Sequence, residues 1–180
     1  MALRATIFKL DLHIADMERG YYNSHVLTLA RHPSESDERM MMRVLAFALL
    51  ADEDLVFTRG LSTADEPALW RKDLTGLILN WVDLGHPDER RLLQASGKSA
   101  QVTVCCYGGP ASRVWWQGVQ KTVARLRNLQ VISVEPEAVR ALARMAQRSM
   151  TLHVSIDEGV ALVTSEADSV AVEVQTWRQV

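Results

Sequence analysis

A predicted β-hairpin near the middle of the chain constrains the fold more than any other feature of the sequence. The segment 68–72 precedes four turn residues, Asp73 to Gly76, and an apolar segment, 77–82, follows them. Aspartate and glycine are the residues that tight turns between antiparallel strands favour. The two segments are therefore predicted to pair as neighbouring antiparallel strands.

Carboxylate residues stand at the two open ends of this hairpin. Asp65 and Glu66 come just before its first strand, and Asp83 follows its second strand. Neighbouring strands are only about 4.7 to 4.9 Å apart, so a carboxylate at the start of one can lie beside a carboxylate at the end of the other. Hard divalent cations prefer such oxygen ligands. The hairpin therefore predicts a candidate metal site.

The segment 34–51 is predicted to form a helix that packs on the sheet. Its apolar residues repeat at helical spacing, and Asp37 follows Ser34 by three residues, as in a capping box. On a helical wheel Glu38 lies within about 20° of Leu45, on the apolar face. Glu38 therefore either faces the sheet or meets the positive end of the helix dipole.

The predicted elements from residue 34 to residue 107 follow the order helix, three strands, helix, strand. A strand that returns to the same sheet through a helix should lie parallel to its neighbour, with a right-handed crossover. An alternating pattern before this region predicts an N-terminal β-hairpin. Two more helices, 110–127 and 136–148, and a set of antiparallel strands are predicted after it. The fold class is therefore mixed α/β, of the α+β kind.

Composition limits the kinds of protein to which this chain can belong. Its 180 residues, 48% of them hydrophobic, can form one core, so a single domain over residues 1–180 is predicted. A net charge of −2 indicates nucleic-acid binding only if the 20 Lys and Arg residues gather on one surface. No window approaches the roughly 20 apolar residues of a membrane span, and no signal peptide opens the chain. A cytoplasmic protein without membrane association is expected.

Several strings along the chain resemble one family. They are MALRATIFK, TLARHPSESDERMMMRVL, FTRGL, DEP followed by Trp70, WVDLGHPDERR, and MTL at Met150. Together they resemble the YaeQ family of bacterial proteins over most of the chain. That family is similar in fold to the PD-(D/E)XK nuclease superfamily, but its sequence motif differs from the superfamily's. The resemblance implies a restriction-endonuclease-like core over about residues 34–135.

The resemblance also implies roles for the carboxylates. In nucleases of this superfamily, an acidic residue opening the second core strand and another on the third hold Mg²⁺ or Mn²⁺. Asp83 matches the third-strand position, and Glu66, or failing it Asp65, matches the second. A glutamate of the first helix often lies beside the metal, which would be Glu38. The implied function is a divalent-metal-dependent phosphodiesterase that acts on nucleic acid.

The motif departs from the superfamily at Gly85, where a lysine would orient the attacking water. Lys98, from the following helix or its exit, is the first candidate to replace that lysine, and Arg90 is the second. Arginine is a poor proton acceptor, so Arg90 would hold phosphate charge and not act as a base. If neither residue replaces the lysine, the alternative is a non-catalytic nucleic-acid- or protein-binding regulatory protein that retains the fold.

Two other kinds of site fail on their spacing. Gly97-Lys98-Ser99 resembles the end of a phosphate-binding loop, but Leu92 stands where that pattern needs a glycine. Hydrolysis by serine or cysteine needs a nucleophile beside a histidine base, and His86, the histidine near the hairpin, has no nucleophile elbow with it.

Overall fold

The first helix, α1 (Asp37–Leu49), is enclosed by the rest of the molecule. Nine consecutive residues, Met40 to Ala48, are buried, and a helix that buries every face needs partners on all sides. Its N-cap is Ser36, whose hydroxyl accepts a hydrogen bond from the Arg39 N–H at 3.1 Å. The predicted start at Ser34 is therefore wrong by two residues.

The computed structural model describes residues 4–180, so the opening residues 1–3 of the MALRATIFK string lie outside it. Within residues 4–180, ten strands form one sheet. They are β1 (Thr6–Asp16), β2 (Tyr21–Arg31), β3 (Leu55–Phe57), β4 (Leu69–Lys72), β5 (Ile78–Leu84), β6 (Ser99–Cys106), β7 (Leu129–Val134), β8 (Ser149–Asp157), β9 (Val160–Thr164) and β10 (Ser169–Arg178). The order across the sheet is β2-β1-β8-β9-β10-β7-β6-β5-β4-β3. The sheet curves into a nearly closed, barrel-like shape, and the fold is mixed α+β.

Three further helices cover this sheet, namely α2 (Glu89–Lys98), α3 (Pro110–Val119) and α4 (Pro136–Ala143). Both α3 and α4 are shorter than predicted. The segment after α3 turns into a short 3-10 helix, Thr122–Arg125. Because α4 ends at Ala143, Arg148 lies outside it. A second 3-10 helix, Gly60–Ser62, follows β3, which is only three residues long.

The predicted central hairpin is confirmed, since β4 and β5 pair antiparallel. Asp73 closes its turn, because its side-chain oxygen accepts from the N–H groups of Thr75 at 2.8 Å and Leu77 at 3.0 Å. Gly76 has φ +88°, a conformation that a side chain would strain. The predicted parallel neighbour is also present, because β6 lies parallel to β5. The N-terminal hairpin is formed by β1 and β2.

Apolar side chains fill both faces of the sheet. One cluster encloses α1 and includes α4, and the other lies beneath α2 and α3. Cys105 belongs to the first cluster and Cys106 to the second, as strand alternation predicts. Burial raises the pKa of both thiols, that of Cys106 to about 12. In the region that the structure covers, no helix is long and apolar enough to span a membrane.

A buried ion pair joins α1 to the segment before it. Arg43 Nε and NH2 donate to the two carboxylate oxygens of Glu35 at 2.8 and 2.7 Å, and NH2 also donates to the carbonyl of Ala30. Burial lowers the pKa of the Arg43 guanidinium, and the charge of Glu35 raises it. Arg39 NH1 donates to the same carboxylate at 2.8 Å. Glu35 therefore holds two arginines of α1.

We expect Glu35→Gln to destabilise the protein by about 3–5 kcal/mol, because it leaves the buried Arg43 without a compensating charge. Urea-induced unfolding measures this loss. Glu38→Gln is the matched control, since Glu38 is exposed on the first turn of α1, and its cost should stay within about 1 kcal/mol. Equal unfolding midpoints for the two variants would contradict this account of the ion pair.

Candidate functional site

A cleft opens where the central hairpin ends. The N–H of Ala68 donates to the carbonyl of Val82 at 2.9 Å, so the start of β4 lies beside the end of β5. The cleft has a volume of about 310 Å³ and is lined by residues from α1, the 60–68 segment, the end of β5 and the start of α2. Its ionisable lining residues are Arg39, Glu66, Asp83, His86 and Arg91. Glu66 and Asp83 therefore share one cleft, as the hairpin predicted.

Asp83 is buried and fully engaged by its neighbours. Arg91 Nε and NH2 donate to its two carboxylate oxygens, each at 2.8 Å. The indole N–H of Trp81 donates to the carboxylate at 3.0 Å. The hydrogen bond to Asp83 raises the pKa of Arg91. This two-point arginine–carboxylate geometry is the strongest that such a pair can adopt.

Arg91 also fastens the loop that precedes β4. Its NH1 donates to the carbonyl of Ala64 at 2.6 Å, and its NH2 donates to the carbonyl of Glu66 at 2.9 Å. With the two bonds to Asp83, four of the five guanidinium N–H groups are used. Arg91 therefore joins α2, β5 and the 64–66 loop at one point.

Glu66 is also ion-paired. Arg59 NH2 donates to one of its oxygens at 2.7 Å, and the Arg59 backbone N–H donates to the other at 3.2 Å. The side-chain hydrogen bond from Arg59 lowers the pKa of Glu66. Each of the two carboxylates in the cleft therefore already has its own arginine.

The other residues that the sequence suggested lie elsewhere. Glu38 is exposed on α1 and does not line the cleft, so the expectation that it faces the sheet is wrong. Asp65 and Arg90 are exposed and also stay outside the lining. Lys98 is the last residue of α2, whose start lies at the cleft, and a ten-residue helix is about 15 Å long.

The arrangement does not fit Mg²⁺ or Mn²⁺ as it stands. Magnesium needs free oxygen ligands in near-octahedral geometry, whereas both oxygens of Asp83 accept hydrogen bonds from Arg91. Across residues 4–180, no three His, Cys, Asp or Glu side chains are grouped so that they could hold a metal ion. A cation at Asp83 would first have to displace the Arg91 guanidinium.

Sequence reasoning missed the role of Arg91 and named its neighbour Arg90. The available signal was the N-cap Asp88, whose side chain accepts from the Arg91 N–H at 2.8 Å. Because Asp88 is the N-cap, it fixes the residue at which α2 begins. The start of the helix in turn determines which of its side chains face the end of β5, and Arg91 is one of them. Arg39 was missed as well.

His86 does have a hydroxyl partner, but not a usable nucleophile. Its Nε2 lies 2.6 Å from the hydroxyl of Ser112, which also accepts from the Gly108 N–H at 2.7 Å. Ser112 is 0% exposed, so no substrate can reach it. A Cβ on Gly108 would lie 2.8 Å from His86 Cε1 and 3.0 Å from Ser112 Oγ, so a larger residue here would push the His86 ring aside. Burial lowers the pKa of His86. This cluster is packing, not a hydrolytic dyad.

We expect Asp83→Asn to lower the free energy of unfolding by about 1.5–3 kcal/mol, because it removes the charged acceptor of Arg91. The 64–66 loop should also exchange its amide hydrogens faster, since Arg91 no longer holds it to β5. Urea denaturation and hydrogen exchange measure the two effects. Asp65→Asn, an exposed change in the same loop, should stay within about 0.5 kcal/mol. If both variants behave alike, Arg91 does not fasten the loop through Asp83.

Comparison with known proteins places the chain in one group. The family model described as YaeQ protein matches residues 1–174. The YaeQ protein of Escherichia coli (strain K12) is 42% identical over 180 residues, which cover 99% of each chain. The crystal structure of YaeQ protein from Xanthomonas axonopodis pv. citri is 45% identical with a TM-score of 0.96, covering 98% of this chain and 99% of that one. YaeQ protein from Pseudomonas syringae is 37% identical, with a TM-score of 0.93 and coverage of 98% and 97%. The chain therefore belongs to the YaeQ family.

Proposed function

We propose that this protein binds the phosphodiester groups of nucleic acid in the Asp83 cleft without cutting them. The observation that supports this most directly is the two-point ion pair between Asp83 and Arg91. If Asp83 matches the third-strand acidic residue of a PD-(D/E)XK nuclease, the carboxylate that would hold a cation there holds the Arg91 guanidinium here. The arginine supplies a fixed positive charge there, but it cannot activate water, because its pKa is too high for a base.

The balance of charge in the cleft favours an anionic ligand. Asp83 with Arg91 and Glu66 with Arg59 are each neutral pairs. Glu35 is already matched by the buried Arg43. Counted together with the partners Arg59, Glu35 and Arg43, these ion pairs have one more arginine than carboxylate, and Arg39, whose side chain is 19% exposed, is the lining arginine that shares its carboxylate.

Arg39 lies in the first turn of α1, where the helix dipole adds positive potential and the exposed Asp37 and Glu38 add negative charge. A guanidinium that is held by a carboxylate on one side and open on the other can donate to a phosphate oxygen. One surplus charge matches one phosphodiester group.

A nuclease-like ancestry is consistent with the same residues. The order helix, three strands, helix, strand and the shared cleft of Glu66 and Asp83 are features that the superfamily uses. Gly85, however, has no side chain to supply a charge or a hydrogen-bond donor, and Lys98 lies at the far end of α2. In this proposal the protein retains the nuclease-like arrangement and has exchanged metal for arginine.

The second candidate function is a metal-dependent nuclease, which the shared cleft of Glu66 and Asp83 favours. It requires Arg91 to leave Asp83 when metal and substrate bind. The two functions therefore differ in what Arg91 does, and in whether phosphodiester bonds are broken.

We expect Arg39→Gln to weaken the binding of nucleic acid by at least about tenfold, because a charged hydrogen bond to phosphate is lost. The slope of log affinity against log salt should fall by roughly 0.7–0.9, the value for one phosphate contact. Fluorescence anisotropy with labelled single- and double-stranded DNA and RNA oligonucleotides measures both. Arg90→Gln, which removes an exposed arginine outside the cleft, is the control and should change affinity less than twofold.

The same oligonucleotides incubated with Mg²⁺ or Mn²⁺ separate the two functions. The proposal predicts intact strands with the wild type. Cleavage that is lost in both Asp83→Asn and Lys98→Met would establish the nuclease instead. Binding that depends on Arg90 but not on Arg39 would remove the cleft from the proposal altogether.

A further inference from the structure

A second cavity, of about 520 Å³, lies at the other end of α1. It exists because α1 ends at Leu49 while the sheet around it continues. Its wall is formed by the starting ends of β5, β6 and β7 and by the end of β10. Leu50, Ile132 and Ile156 supply apolar surface. This cavity shares no lining residue with the Asp83 cleft.

Three carboxamide side chains stand in a row on this wall. Asn80, Gln101 and Gln130 come from the adjacent parallel strands β5, β6 and β7. Asn80 and Gln101 are register partners, and Gln130 pairs with Thr103, two residues beyond Gln101. Side chains two residues apart on a strand share a face, so the three amides lie on the face that α1 covers elsewhere.

One end of each amide is hydrogen-bonded within the protein. The hydroxyl of Thr103, which is fully buried, donates to Asn80 Oδ1 at 3.2 Å, and Gln101 Nε2 donates to Gln130 Oε1 at 3.3 Å. No protein group within residues 4–180 pairs with Asn80 Nδ2, Gln101 Oε1 or Gln130 Nε2. Across the three strands the unpaired ends therefore read donor, acceptor, donor.

The charged groups around this cavity do not favour an anion. Arg19 pairs with Asp16 at 2.6 Å, and Arg71 pairs with Asp52 at 2.5 Å. Glu18, whose carboxylate accepts from a backbone N–H, adds one negative charge that no arginine of the lining matches. A ligand without charge fits this lining better than a phosphate does.

We propose that this cavity binds a uracil-type pyrimidine as the free base or nucleoside. The edge of uracil presents O4, N3–H and O2, which is acceptor, donor, acceptor, and this order complements the three amides. Asn and Gln side chains read base edges in this manner because each carries a donor and an acceptor in one plane. The apolar surface suits the two faces of the ring, and the volume lies in the usual range for small-ligand pockets.

Close relatives of uracil test the order of donors and acceptors. Cytosine places an acceptor at N3, where it would face the Gln101 carbonyl. A methyl group at N3 of uridine removes the donor and fills its space. Cytosine keeps the size of the ring nearly the same, so its lower affinity reports the hydrogen bonds and not the volume, whereas 3-methyluridine removes the donor and also adds bulk at that edge.

Isothermal titration calorimetry with uridine, cytidine, 3-methyluridine and uridine 5′-monophosphate provides the experiment. We expect uridine to bind with a dissociation constant below 1 mM, on the order of a small polar ligand in a preformed pocket. Cytidine and 3-methyluridine should bind at least about fivefold more weakly, because a buried polar group would be left unpaired. The monophosphate should also bind more weakly than uridine.

Variants of the protein locate the site. Gln101→Met and Gln130→Met keep the length of the side chain and remove the amide, and each should weaken uridine binding by about fivefold or more. Gln94→Met, an exposed change on α2, is the control and should have no effect. Thermal unfolding without ligand verifies that the variants fold. The proposal is overturned if uridine does not bind, if cytidine or 3-methyluridine binds equally well, if the monophosphate binds more tightly, or if affinity is indifferent to both glutamines.

Discussion

The enclosure of α1 is the constraint on which the rest of the structure depends. Its residues from Met40 to Ala48 are buried on every face, so an open sheet covering one side would leave apolar surface in water. Each fully buried Leu, Met or Phe side chain contributes about 1.5–3 kcal/mol. The ten strands curve around the helix, so that its apolar side chains are buried, and α4 covers part of the helix surface that the strands leave open. Both cavities follow from this, because they lie at the two ends of one enclosed helix.

Arginine–carboxylate pairs then fix the elements at the end of α1 where the cleft opens. Glu35 holds two arginines of α1, and Asp83 holds Arg91 of α2. Such pairs cost desolvation energy when they are buried, so they contribute less to stability than to geometry. What they secure is a unique position for the 64–66 loop and for the start of α1. A guanidinium is suited to this because its five donors can bind a carboxylate and nearby carbonyl groups together.

The sequence predicted those features that depend on short-range chemistry. The hairpin was predictable because Asp73 and Gly76 define its turn, and its pairing brought Glu66 and Asp83 to one cleft. The role of Arg91 was missed by one position of helical phase, which the N-cap Asp88 could have set. Glu35 stands four and eight residues before Arg39 and Arg43, which is a helical spacing, but the spacing alone does not show that Arg43 is buried and needs a charged partner. Gln101 and Gln130 looked like ordinary polar positions of strands, since only the end of α1 shows that a cavity lies over them.

The order of strands also has a consequence for the time course of folding. β1 pairs with β8, so residues near the N-terminus wait for partners about 140 positions later in the chain. Contacts of such long sequence separation form slowly, because the entropy of loop closure must be overcome first. During synthesis α1 emerges long before α4 and β8, so its methionine-rich surface is not fully enclosed until the last third of the chain has left the ribosome. The topology that encloses the helix at the end therefore leaves it only partly covered during synthesis.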